Sequence, residues 1–426
     1  MNKKDIWNIY FIFTVLWEAF LVLMIKPMTS SYHFVPFGLF FLASGLKENF
    51  KLIFHLIKKY YYLVILLFIW IIYFGIFSVS SRILFFFVLC VLSGYFVSKY
   101  GNIEIAARYA IVILTPIIMI SIILHILQIN PLLGRFPAAN VFSNFTLTRL
   151  ASIFSHPIPA ACVFGMYTFI CLFYIKNIWI KSLVCFLGVI ALFLTGSRST
   201  ILAYVISLVI YFVIYCVRYF SDFKSKINLK SASLLIVGII VGILIFSKIP
   251  SVNIYVQQIM YRFNNINNEI NNGFYRFIAW KTMMNNVWPS NSWIIRLFGA
   301  GNQSCLAAMQ TVGNEAIANS VSWAEGAGMQ VGTVDSTYFS LLYDYGLLSL
   351  CLMLAGIVYV GYKMIVGNQE QTKIAAILFA FQLSAISFDM QYWSSISFIA
   401  LFFMGILLEM SVKQNLKRNS KSENLA

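Results

Sequence analysis

The chain has 426 residues, 61% hydrophobic and 10% charged, with a mean hydropathy of +0.84 and a formal net charge of +16. Soluble domains carry roughly 25% charged residues, so these values exclude a water-soluble globular fold. They describe a chain solvated largely by lipid.

A hydrocarbon core of roughly 30 Å needs about 20 apolar residues per helix. In chain order, runs near that length predict spans at 6–25, 32–46, 60–77, 81–98, 109–128, 157–175, 179–197, 199–217, 231–249, 337–360, 373–388 and 394–410. A lipid-facing barrel would alternate apolar and polar residues, whereas these runs are apolar all round. The expectation is an all-α polytopic membrane protein of about 12 transmembrane helices. Lys3 and Lys4 precede the first span without a small-x-small cleavage site after it, which reads as an uncleaved anchor.

Basic residues set the orientation. With the N-terminus inside, the inner segments are 1–5, 47–59, 99–108, 176–181, 218–230, 363–373 and 411–426. These hold 20 of the 30 Lys and Arg, including Lys47, Lys51, Lys58 and Lys59 and the cluster Lys224, Lys226 and Lys230. This is a positive-inside bias; both termini are expected in the cytoplasm, and the net charge needs no nucleic acid to explain it. Glu48 and Glu104 fall among inner lysines and read as solvated ion pairs.

The outer face then carries two sizeable loops, 129–157 and 250–336. In the second, Val256, Ile259, Met260 and Phe263 share one helical face, and so do Phe277, Trp280, Met284 and Trp288 before Pro289. Both patterns predict amphipathic helices at the membrane surface. LFGAGNQ, 297–303, reads as a glycine turn, and 304–334 as small, polar and irregular.

Six of the seven cysteines lie inside spans and only Cys305 in an outer loop, so no disulfide framework is expected. His33, His55, His125 and His156 have no ligand spacing, so no metal and no other cofactor is expected. No Walker loop, dinucleotide fingerprint or Gly-x-Ser-x-Gly elbow is present.

The outward cations are the chemically interesting set. Arg149 precedes a span, Arg198 sits in LTGSRST between two apolar runs, and Arg262 and Arg276 fall on the two loop helices. An arginine at membrane depth costs several kcal/mol unless paired or hydrated, and the planar guanidinium suits bidentate phosphate oxygens. Taken singly, each arginine also reads as a helix-end snorkeller or a local ion pair. Together, all four fall on one side.

The order RLASIFSHPIPAACVFG, LTGSRST, RFIAW, LFGAGNQ and DSTYFSLLYDYGLLSL resembles the superfamily of bacterial O-antigen ligases and Wzy-type O-antigen polymerases, from about Arg149 to Leu350. The resemblance implies cytoplasmic termini in the inner membrane and a large periplasmic loop between helices 9 and 10. The expected organisation is helices 1–9 over 1–249, the large loop over 250–336, helices 10–12 over 337–410 and a cytoplasmic tail at 411–426. Fifteen residues separate Arg149 from Gly165 and ten separate Arg262 from Gly273, spacings that look like the paired arginine motifs of the polymerase branch.

The implied reaction is glycosyl transfer from an undecaprenyl-diphosphate-linked glycan to a sugar hydroxyl of a second one. Fixed guanidiniums would stabilise the diphosphate leaving group, in keeping with the absence of a metal. Arg198 and Arg276 are the candidate catalytic cations, and Arg149 and Arg262 the candidate substrate contacts. The ligase branch opens the span after the large loop with a His-Asn-type pair. This chain departs there, reading Asp335-Ser336, which weighs against a ligase and makes Asp335 a candidate base. The same pair also reads as the N-cap of the tenth span. His156, Asp344 and Trp280 complete the expected substrate-binding set, with Asp344 placed a little way into the tenth span. The partners are then the donor and acceptor glycolipids and membrane lipid, with a chain-length regulator left open. A ligase acting on lipid A core, and from another class a flippase or transporter, remain the alternatives.

Overall fold

The computed structural model describes residues 2–24, 31–127, 150, 157–218, 280–281, 283–289, 291–308, 336–388, 390 and 394–423. Among them every regular element is helical. The elements are α1 (Lys3–Met24), α2 (Ser31–Ala43), α3 (Leu46–Lys59), α4 (Tyr61–Phe74), α5 (Val79–Tyr100), α6 (Ile103–Ile126), α7 (Pro157–Tyr174), α8 (Ile178–Leu194) and α9 (Arg198–Arg218). After the large loop's described pieces, α10 (Trp293–Phe298) and α11 (Ser304–Ala308), follow α12 (Thr337–Asp344), α13 (Gly346–Val366), α14 (Gln369–Ser384) and α15 (Ser394–Glu423).

Local chemistry starts these helices where the apolar runs begin. Ser78 caps α5, accepting the Ser81 N–H at 3.1 Å. Asn102 caps α6 through the Glu104 and Ile105 N–H groups, and Asn177 caps α8 in the same way. Asn368 and Gln371 form a reciprocal capping box on α14. Such caps satisfy donors that the first helical turn leaves open. Within the bundle, Ser93, Ser121, Ser384 and Ser411 return their hydroxyls to the carbonyl four residues earlier, which is how a polar side chain is tolerated where water is scarce.

Six helices are long and apolar enough to cross a membrane among the described residues: α5, α6, α7, α9, α13 and the Ile396–Gln414 part of α15. Counting α3 and α4 as one bent span makes seven. The protein is therefore a polytopic α-helical membrane protein. The apolar run 231–249 lies outside the described residues.

Helix α7 is the centre, with nearly all its side chains buried. Gly165 permits this packing: a Cβ there would stand 2.5 Å from the ring of Tyr204 on α9, whose hydroxyl donates to the Cys162 carbonyl at 2.8 Å. The α5–α15 crossing is closer still. Cβ atoms at Gly94 and Gly405 would fall 1.8 and 2.0 Å from the Phe402 and Val91 carbonyl oxygens. Between helices in lipid, such close packing supplies the attraction that the hydrophobic effect supplies in water. Facing outward, α9 shows Leu202, Val205, Val209 and Phe212, and α13 shows Leu354 and Val358; these form the lipid-facing belt.

One pole of the bundle collects the basic segments. Lys3 pairs with Glu48 at 2.9 Å and lies over the Tyr100 ring, while Glu104 meets Arg108 and Lys176 at 2.7 and 3.4 Å. Lys3 holds the exposed Glu48 carboxyl below its ordinary pKa, first through the hydrogen bond. Arg218 donates to the Gly367 carbonyl, Tyr174 to Glu370, and Lys413 to the Ser98 carbonyl. Seven segments separated by hundreds of residues thus converge, as alternating spans require.

Three sequence expectations change. The run 337–360 is two helices, interrupted at Tyr345 with Gly346 at φ +78°. Of the stripe Phe277, Trp280, Met284 and Trp288, Phe277 lies outside the described residues, and the rest is not one regular α-helix, because Met283–Val287 is a π-turn. Its wider winding buries Met283 and Val287 and leaves Met284 exposed. Within 304–334, residues Ser304–Ala308 form α11.

Candidate functional site

At the opposite pole, two small constructions bear on the expected site. The first is the knot between α8 and α9. The α8 carbonyls end on the Thr195 hydroxyl, which donates to Leu192 at 2.6 Å and accepts the Ser197 N–H at 3.2 Å. Gly196 turns the chain at φ +59°, and Ser197 and Thr200 hydroxyls pair at 3.0 Å. Thr195, Ser197 and Thr200 are all buried. These bonds leave the knot rigid, and Arg198 leaves it as the first residue of α9, only partly buried.

That position has an electrostatic consequence. A helix N-terminus carries about half a positive charge, and an anion bound there would meet the guanidinium as well. Guanidinium and helix terminus then act on the anion together. The knot also receives a distant part of the chain: the Leu150 N–H donates to the Leu194 carbonyl at 3.0 Å, and Leu150 is fully buried. Leu150 follows Arg149 in sequence, and its partner Leu194 lies four residues before Arg198 in sequence. Arg149 itself, with His156, Arg262, Arg276 and Asp335, lies outside the described residues.

The second construction is a clamp on LFGAGNQ. Asp344, fully buried at the end of α12, accepts the Gln303 N–H at 3.0 Å and the Cys305 N–H at 2.8 Å. Main-chain bonds from Ala300 to Tyr343 and Gly301 to Asp344, both 2.9 Å, close the other edge. Glycine is required on both sides. A Cβ at Gly299 would meet the Asp344 carbonyl oxygen at 2.2 Å, and one at Gly346 the Leu297 carbonyl oxygen at 2.2 Å, each at positive φ. Gln303 is the single non-glycine residue with positive φ among the described residues.

Three more side chains hold the turn from behind. The Trp70 indole donates to the Phe298 carbonyl at 3.1 Å, the Tyr73 hydroxyl to Gly299 at 3.0 Å, and Ser80 accepts the Asn302 N–H at 2.7 Å. Sequence reasoning missed all three. For Trp70 and Tyr73 the signal was only that of aromatics toward a span end, which the membrane interface favours for its own reasons, and Ser80 gave none.

Asp344, expected among the substrate contacts, is fully buried at the junction before α13, and its two main-chain donors tie the LFGAGNQ turn to α12. Trp280 stacks on Phe339 of α12, centroids 5.3 Å apart and planes at 26°, beside Met283, Cys305 and Tyr343. Cys305 is buried. Nearby, the start of α12 is fixed by Thr337, which donates to the Phe388 carbonyl and accepts the Met390 N–H at 2.7 Å. Ser336 stands at the N-cap position without a side-chain cap bond, so the capping expectation for the Asp335-Ser336 pair is not met by the serine.

Residues 183–354 match the Wzy_C family, described as O-antigen ligase. The matched segment contains the knot, the clamp and everything between them. Comparison with curated proteins finds no match.

Proposed function

From this Wzy_C segment as premise, we propose that the protein polymerises undecaprenyl-diphosphate-linked repeat units into O-antigen or a related surface polysaccharide, at the periplasmic face of the inner membrane. The family is shared by ligases and polymerases and implies transfer of lipid-linked glycan. The observation that carries the reading is the knot: an arginine at the first turn of α9, with the Leu150 N–H bonded to the Leu194 carbonyl at the end of α8. This geometry suits a diphosphate. The Asp335-Ser336 departure favours polymerase over ligase.

In the proposed reaction an acceptor hydroxyl attacks the donor's anomeric carbon, a new glycosidic bond forms and undecaprenyl diphosphate leaves. Arg198, with Arg276, takes up the charge that develops on the leaving phosphate. Asp335 accepts the hydroxyl proton. Arg149, Arg262 and His156 hold donor and acceptor, and Trp280 shapes the wall they bind against. The Asp344 clamp holds the LFGAGNQ turn of the large loop. Twelve spans, with the basic pole cytoplasmic, complete the reading; the convergence of the basic segments supports it.

Gene deletion followed by gel analysis of the surface glycan tests the assignment. A polymerase loss leaves lipid A core carrying one repeat unit. A ligase loss leaves bare core with long polymer on the lipid carrier, and a flippase loss strands single units on the inner leaflet; either pattern overturns the assignment.

A further inference from the structure

Helix α3 is set apart from the spans. It meets α4 at 91° across Tyr60, so with α4 crossing the membrane α3 lies along its surface, at the pole where Lys3, Lys176 and Lys413 gather. With about 100° per residue, its fourteen residues sort into three sectors. Asn49 and Leu56 are buried against the bundle, with Leu52 and Ile53 beside them partly buried. Asn49 fixes this face by donating to the Phe41 carbonyl at 2.7 Å and to Ser44 at 2.8 Å.

The next sector is Leu46, Phe50, Phe54 and Ile57, all exposed, with Phe54 at 68%. The third is Lys47, Lys51, His55 and Lys58, also exposed. Lys47, Lys51 and Lys58 sit directly beside the apolar sector. Glu48, the acid on this helix, lies toward the far side and is taken by Lys3 at 2.9 Å.

We infer that α3 is an interfacial helix that binds the headgroups of acidic phospholipids. The bundle-facing sector orients it, the apolar sector enters the acyl boundary, and three lysines along its border meet phosphate at headgroup depth. Charge complementarity selects acidic lipid over zwitterionic lipid. A protein partner would have to cover the same four apolar side chains while lying flat on the membrane. The inference does not depend on which glycan reaction the outer pole performs.

Two measurements on the full chain test it. In detergent, native mass spectrometry with phosphatidylglycerol or phosphatidylcholine reads lipid retention on the intact protein. The account expects preferential phosphatidylglycerol binding, weakened on the order of tenfold in Lys47→Ala/Lys51→Ala/Lys58→Ala. In native membranes, a photoreactive benzophenone side chain placed at Phe54 should yield adducts of phospholipid mass. Equal retention of phosphatidylglycerol by the lysine variant overturns the inference. So does a cross-link from position 54 to polypeptide, or none at all.

Discussion

Asp344 Oδ1 accepts the Cys305 main-chain N–H at 2.8 Å, while its Oδ2 accepts that of Gln303 at 3.0 Å. One buried carboxylate thus joins the LFGAGNQ turn of the large loop to the helix α12. Asp344→Ala leaves the buried Cys305 N–H without this acceptor, at about 1–3 kcal/mol, and the part-buried Gln303 N–H as well. Thermal unfolding of the purified protein should show a drop of several degrees, and Asp344→Asn, which keeps one acceptor oxygen, a smaller one. An unchanged midpoint in Asp344→Ala would remove the clamp from the account.

The glycines of the clamp give a contrast within one chain. Gly299→Ala and Gly346→Ala each place a Cβ 2.2 Å from a carbonyl oxygen at positive φ. The backbone conformation alone costs about 1–3 kcal/mol. Gly361 has nothing within 4 Å of the same added atom. Expression and unfolding measurements should find Gly361→Ala close to wild type and both clamp variants poorly folded.

At the basic pole, Glu409 is fully buried and bonded to Lys413 at 3.1 Å and Ser98 at 2.9 Å, whereas Lys413 is 46% exposed. The burial asymmetry decides which partner matters more. Lys413→Ala leaves the buried carboxylate with the Ser98 hydroxyl but without its cation. Glu409→Gln leaves only a lysine that can reach water. Unfolding midpoints should therefore fall further in Lys413→Ala than in Glu409→Gln, and the double variant should recover part of the loss.

Much of the bundle was legible from hydropathy. Spans predicted at 81–98, 157–175 and 199–217 correspond to α5, α7 and α9 within a few residues, since long apolar runs and capping residues are local signals. The basic segments also converge at one pole, because alternation of spans forces them to. The Arg198 knot was visible for the same reason: polar residues interrupting two apolar runs.

The break at Tyr345 was not visible. Leu341 to Leu348 remains apolar enough to read through, and the need for Gly346 comes from the Leu297 carbonyl across the interface. Asp344 looked like an acid in lipid because its donors lie about forty residues away in sequence. The lysines of 47–59 read as a loop until the buried Asn49 and the bend at Tyr60 showed a helix with three distinct faces. Pairing across the fold, not pattern along the chain, decides each of these.

The central proposal is that Arg198 works on the diphosphate. Its most direct test is donor turnover by the purified chain in lipid vesicles supplied with undecaprenyl-diphosphate-linked repeat units, for wild type, Arg198→Ala and Arg198→Lys. The account predicts that Arg198→Ala lowers turnover about 100-fold or more with an unfolding midpoint close to wild type. It predicts that Arg198→Lys, a point charge without the planar fork, restores little of it. Wild-type turnover and polymer length in Arg198→Ala would contradict the claim.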